Sequence, residues 1–184
     1  FDLSDGDAKK SYNKMFYSYL KTFSRLGLKA IPMAAETGPI GGDLSHEFVI
    51  LAETGESQIY ADKRILQIDP SQYKFNDVSL QKMRKDFSTI YSVTDEKFKE
   101  NEFNKKVSKE NQMITKGIEV GHIFYFSDKY SKPMNCLIDD RSGKKVFVKM
   151  GSYGIGVSRL VGAIIEAKYT SEVMKWPKSV SPFD

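Results

Sequence analysis

Apolar positions recur at helical spacing near the start of the chain. Ala8, Tyr12, Met15, Phe16, Tyr19, Phe23 and Leu26 share one face, behind Ser4 as an N-cap and with Asp5 and Asp7 in the first turn. The pattern predicts an amphipathic helix ended by Gly27. Lys29 to Ala35 reads as a strand, and Glu36 to Ala52 as a glycine-rich loop running into a second strand whose apolar part is Phe48 to Ala52. From Gly55 to Lys116 lysines and glutamates dominate and no glycine intervenes. Leu80, Met83, Phe87 and Ile90 form one helical stripe there, and Thr94-Asp95 caps a second short helix carrying Phe98. This segment predicts a small, mainly helical insertion, in which the charged run Glu96 to Lys109 reads as a mobile surface loop or a frayed helix.

Period-two alternation returns at Gly117 to Phe126. Ile118, Val120, His122, Phe124 and Phe126 fall on one face, and Glu119, Gly121, Ile123 and Tyr125 on the other. Cys136 to Asp139 and Lys145 to Met150 predict a hairpin around Asp140-Arg-Ser-Gly143. Met150 to Leu160 then reads as a strand end, a glycine-paved turn and the start of a final helix, with Val157, Leu160, Val161, Ile164 and Ile165 as its apolar face. The order of elements predicts an α+β fold, an antiparallel sheet flanked by helices.

Composition narrows this picture without redirecting it. The 184 residues suffice for one substantial core, and a net charge of +4 suits a nucleotide or nucleic-acid partner without requiring one. One cysteine, Cys136, excludes a disulfide framework and suits a reducing cytosol, and with two histidines, His46 and His122, no zinc site is expected. No apolar run reaches the length of a membrane span. The start at Phe1 and the end at Trp176-Pro-Lys-Ser-Val-Ser-Pro-Phe-Asp184 lead us to expect a piece cut from a longer chain.

The chemistry concentrates in Met150-Gly-Ser-Tyr-Gly-Ile-Gly-Val-Ser-Arg-Leu160, which places Arg159 in the first turn of a helix. Gly151, Gly154 and Gly156 allow positive φ and close approach of a ligand, while free helix N–H groups and a guanidinium favour a phosphate. The pattern is neither the dinucleotide fingerprint, since Arg159 stands where that motif needs glycine, nor a P-loop, since no Gly-Lys-Ser/Thr follows. The competing account is a helix start whose glycines serve packing, with Arg159 solvated.

Three words in order resemble the bacterial-type prolyl-tRNA synthetases, a class II aminoacyl-tRNA synthetase family. They are Gly-Pro-Ile-Gly-Gly-Asp-Leu-Ser-His-Glu-Phe (38 to 48), Gly-Ile-Glu-Val-Gly-His-Ile-Phe (117 to 124) with Lys129-Tyr130-Ser131, and the 150 to 160 segment. Trp176-Pro177 and Pro182-Phe183 resemble that family's passage from its catalytic to its anticodon-binding domain. The resemblance implies activation of proline by ATP to prolyl-adenylate and transfer to tRNA(Pro), by a cytoplasmic homodimer with no organic cofactor and no zinc. Arg159 would grip the ATP phosphates as the arginine of motif 3, with Gly156 and Glu119 also at the nucleotide. Glu119 would accept a ribose hydroxyl or hold Mg²⁺, and Arg159 and Glu119 are the catalytic candidates. The proline pocket would draw on His122, Glu47, Phe48, Ser152 and Gly154, with Ser152 where many members carry cysteine.

Alternation leaves two questions open. Glu119 and His122 reach one cleft only if the strand bends or bulges, which Gly121 would permit; otherwise one of them is structural, and His122 is then a hydrogen-bonded core histidine. Of Glu47 and Phe48, a regular strand turns only one inward. The resemblance further divides the chain into core parts at 1–54 and 117–175, a short insertion at 55–116, and a lead-in at 176–184. Motifs 1 and 2 and the anticodon domain are missing, so the fragment alone is expected to be inactive. Roughly sixty residues are too few for the editing domain that long-form relatives carry at this point, and no Cys/His or Ser/His pair there suggests a hydrolase. A second reading is a non-catalytic, synthetase-like module binding an amino acid, a nucleotide or a protein.

Overall fold

The computed structural model describes residues 1–35, 44–181 and 183, so the glycine-rich stretch 36–43, Pro182 and Asp184 lie outside the described residues. The first helix, α1 (Asp5–Arg25), begins as its sequence predicts: the Ser4 hydroxyl oxygen accepts the Asp7 N–H, and Asp5 and Asp7 occupy the first turn. Gly27 ends it at φ +71°. Pro177 packs directly on Gly27, where a Cβ would clash with its ring at 2.5 Å, so the C-terminal segment returns to the end of α1.

Among the described residues eight strands follow: β1 (Ala30–Ala34), β2 (Leu44–Leu51), β3 (Ser57–Asp62), β4 (Ser92–Thr94), β5 (Gln112–Ser127), β6 (Leu137–Asp139), β7 (Lys145–Phe147) and β8 (Met150–Ile155). The helices α2 (Asp77–Thr89) and α3 (Glu100–Lys106) lie before β5, and α4 (Val157–Lys168) after β8. Six strands form one sheet whose pairings close on themselves: β2 lies beside β1, β1 beside β4, β4 beside β3, β3 beside β5, and β5 beside β2. All these pairings are antiparallel except β1 with β4. Residues 121–125 of the long strand β5 pair with both β2 and β8, which therefore occupy opposite edges of it. The predicted hairpin is present as β6 and β7, a separate two-stranded sheet turned by Asp140, whose side chain accepts the N–H groups of Ser142 and Lys144.

One face of this sheet is sealed. Tyr12, Phe16, Tyr19, Leu20 and Phe23 of α1 and Leu80, Met83 and Phe87 of α2 cover it. Ring contacts run from Phe48 to Phe16, Tyr19 and Phe23 at 5.1–5.9 Å, geometries that add to simple burial. Arg84 of α2 donates to Asn13 of α1 at 2.7 Å and ties the two helices together.

Three local expectations change. The 55–116 segment carries its helices but is woven into the sheet through β3, β4 and the front of β5, so it is part of the core rather than an appendage. Its charged run is no loose loop: Phe98 stacks on Tyr60 at 3.6 Å and buried Phe103 packs against Tyr60 and Tyr91, anchoring α3. These two aromatics outweigh the surrounding charge because each removes a large apolar area from water. In α4, only Leu160, Ala163 and Ile164 are buried, while Val157, Val161 and Ile165 of the predicted apolar face are exposed, since the helix touches the sheet along a narrower stripe than its sequence offers.

Candidate active site

A single extra residue in β5 decides the geometry of the site. Opposite β2, Glu47 pairs with His122 and Phe48 with Gly121, but the next residue, Val49, pairs with Glu119, leaving Val120 as a bulge. Directly paired residues share a face, and so do Glu47 and Val49 at a spacing of two. His122 and Glu119 therefore point the same way, although three residues apart. Gly121 beside the bulge allows close approach: a Cβ there would lie 3.0 Å from the Tyr19 ring and 3.1 Å from the Gly154 carbonyl oxygen. The sequence question about these two residues is answered by a bulge one residue before the glycine.

The three polar side chains converge. His122 Nδ1 lies 3.6 Å from Glu119 Oε1 and 3.8 Å from Glu47 Oε1. All three side chains are partly accessible, at 19% for His122, 18% for Glu47 and 33% for Glu119. On the far side of His122, Ser45 Oγ lies 2.6 Å from Nε2, and Phe124 stacks on the ring at 3.8 Å between centroids. Burial and the neighbouring Glu119 charge push the Glu47 carboxyl up to about 7. Glu119 is held below the usual carboxylate range, chiefly by the His122 imidazole turned toward it, with Arg159 adding to the effect.

Arg159 joins the cluster from α4. Its Nη1 donates to the Glu119 backbone carbonyl at 3.0 Å and lies 3.6 Å from Oε2 of the same residue. Gly156 N-caps α4, and its N–H donates to the Val120 carbonyl at 3.0 Å, so the bulge also fixes where α4 starts. At 57% side-chain exposure the guanidinium remains available to a ligand. A cleft of about 420 Å³ opens beside it, lined by Glu119, Arg159, Gly162 and Glu166 among others. A larger cavity, about 730 Å³, lies between β4, the end of α2 and α3. It is a separate feature, because the β2 residue it reaches is His46, which faces away from Glu47.

β8 completes the cleft face. Gly154 pairs with His122 and Ser152 with Phe124, so both lie on the side of the cluster, and a Cβ at Gly154 would meet nothing within 4 Å. Open space thus stands over Gly154, on the strand beside His122. The glycine turn itself differs from expectation: Gly151 and Gly154 lie inside β8, and none of Gly151, Gly154 and Gly156 has positive φ. Phe48 is the one expected pocket residue that stands elsewhere. It is 0% exposed and packs under α1, because alternation turns it away as it turns Glu47 inward. Ser45, whose hydroxyl reaches His122, carries no local signal in the sequence, since its partner lies 77 residues away.

A family model, "tRNA synthetase class II core domain (G, H, P, S and T)", matches residues 2–168. The chain belongs to this family. It is 64% identical along its whole length to a proline–tRNA ligase of Pelagibacter ubique, 52% to one of Bartonella bacilliformis and 49% to one of Rhodopseudomonas palustris. The chain spans about 42% of the length of these relatives. Its α+β fold with helices flanking the sheet is that of a class II synthetase domain. Among the described residues no helix is long and apolar enough to cross a membrane.

For this class II domain, the donor atoms of Glu47, Glu119 and His122 lie within 4.8 Å of one another. The ionised Glu119 carboxylate is a hard oxygen donor of the kind Mg²⁺ takes, and so fits an ion that accompanies a nucleotide.

Proposed function

We propose that the chain is the catalytic-core part of a proline–tRNA ligase, which activates proline with ATP to prolyl-adenylate and transfers it to tRNA(Pro). The 64% identity to a proline–tRNA ligase over the whole chain carries this reading, and the bulged cleft supplies a chemical rationale. The secondary ammonium of proline meets Glu47, whose carboxyl, raised to about 7, gives up its proton to solvent when a cation settles beside it. The ring occupies the space over Gly154, beside His122 and Ser152. Arg159, in the first turn of α4 behind Gly156, grips the ATP phosphates; a guanidinium stays charged throughout and meets the negative charge that builds as pyrophosphate leaves. Glu119 holds Arg159 in place and would hold Mg²⁺, which neutralises phosphate charge when bound.

The remaining expectations belong to the same proposal: a cytoplasmic homodimer, no zinc, and a short insertion at 55–116 that is structural rather than editing. The 184 residues alone are proposed to be inactive, since among the described residues the cleft presents a single guanidinium, Arg159, to a triphosphate. Amino-acid-dependent ATP–pyrophosphate exchange by the full-length protein carrying this sequence tests the reading. Proline should support exchange; exchange with glycine, histidine, serine or threonine and not with proline would overturn it.

A further inference from the structure

We propose that Ser45 is a positioning residue of this site, fixing the His122 ring with Nδ1–H turned to the two carboxylates. The ring is held from two directions: Ser45 Oγ lies 2.6 Å from Nε2, and Phe124 stacks on its face at 3.8 Å with 22° between planes. Nδ1 looks toward Glu119 Oε1 and Glu47 Oε1 at 3.6 and 3.8 Å, and these oxygens need a donor. A neutral imidazole has one N–H, and the partner of one nitrogen decides which nitrogen carries it. Ionised carboxylate oxygens only accept, so Nδ1 carries the proton, and the Ser45 hydroxyl supports that form by donating its O–H to the bare Nε2. Ser45 is buried, so water does not readily take over this contact.

The consequence for function rests on the proline–tRNA ligase reading. With the ring held so, Nδ1 faces the carboxylate side of the site and Glu47 keeps the position from which it meets the ammonium of the amino acid. Without Ser45 the proton is free to move to Nε2, which would set a bare nitrogen against two carboxylates.

The chain has only two histidines, so long-range ¹H–¹⁵N spectra of the 184-residue protein at alkaline pH resolve the ring nitrogens directly, with His122→Gln as the assignment control. Wild type should show His122 Nδ1 as the protonated and Nε2 as the bare nitrogen. In Ser45→Ala the two shifts should move toward each other as the tautomers mix, and Ser45→Thr should restore the wild-type pattern. A wild-type ring protonated at Nε2, singly or doubly, or a Ser45→Ala spectrum identical to wild type, overturns the proposal. In the full-length ligase, Ser45→Ala should raise the KM for proline about fivefold to tenfold, the scale of one lost hydrogen bond, with the KM for ATP unchanged. An unchanged proline KM would refute the functional consequence. If the spectra behave as stated while proline fails to support exchange, the ligase reading falls and the positioning role stands.

Discussion

His46 and His122 sit one residue out of register on neighbouring strands and face opposite sides of the sheet, and the two sides do different work. His46 is sealed under α1, bonded through Nδ1 to the Tyr12 hydroxyl at 2.6 Å and packed edge-on against Phe16. Its ring is driven down to about 3, first by burial and then by the positive charges of Arg84 and Lys97. His122 stands between two partly accessible carboxylates, beside the open space at Gly154. Adjacent residues of β2 repeat the contrast, Glu47 facing the cleft and Phe48 the core. The carboxylate cluster lies on one face, and the aromatic packing of the opposite face supplies the rigidity that holds it there.

The largest expected break in that contrast is Phe48→Ala. Removing a fully buried ring that touches three others should cost about 3–5 kcal/mol in urea unfolding. Glu47→Gln, one residue away, should change stability by less than about 1 kcal/mol below pH 4.5, where the wild-type carboxyl is protonated too. Equal costs for the two would erase the distinction between faces.

Opposite pH dependences sharpen it next. The Glu47 carboxyl is raised from 4.5 to about 7, so its contribution to stability is full below pH 4.5 and is lost as pH rises through 7. Glu47→Gln should therefore gain on wild type across that window, by on the order of 3 kcal/mol. His46 is lowered from 6.5 to about 3, so its contribution is full above pH 6.5 and is lost as pH falls toward 3. His46→Gln should flatten that acid limb. Urea midpoints of the two variants against pH would contradict the picture if both differences from wild type ran in the same direction.

A smaller effect is expected from Tyr12→Phe. It removes the buried partner of His46 without altering ring volume, at about 1–3 kcal/mol, and should leave the His122 ring resonances in place. Movement of those resonances would show that the faces communicate through β2.

Much of the architecture was legible in the sequence where signals are local. The stripe from Ala8 to Leu26 with its Ser4 cap marks α1, which ends at Arg25 just before Gly27, and the 150–160 word places Arg159 in the first turn of α4. What could not be read depends on pairing. Alternation alone put Glu119 and His122 on opposite faces, and only the register of β2 against β5 reveals Val120 as the extra residue that unites them. The same logic hides Ser45, and leaves Phe48 ambiguous until α1 is seen to cover it. Phe98 and Phe103 show the converse failure: in a run dominated by charge, two aromatics suffice to fix a helix to the sheet.

The central claim is that the bulged cleft face carries the chemistry, with Arg159 as its phosphate ligand. The most direct test is proline-dependent ATP–pyrophosphate exchange by the full-length ligase carrying Arg159→Ala, measured beside its urea midpoint. A fall in exchange of about two orders of magnitude, the scale of a lost charged transition-state contact, with the midpoint unchanged, is the predicted result. Near-normal exchange in the folded variant would contradict the account.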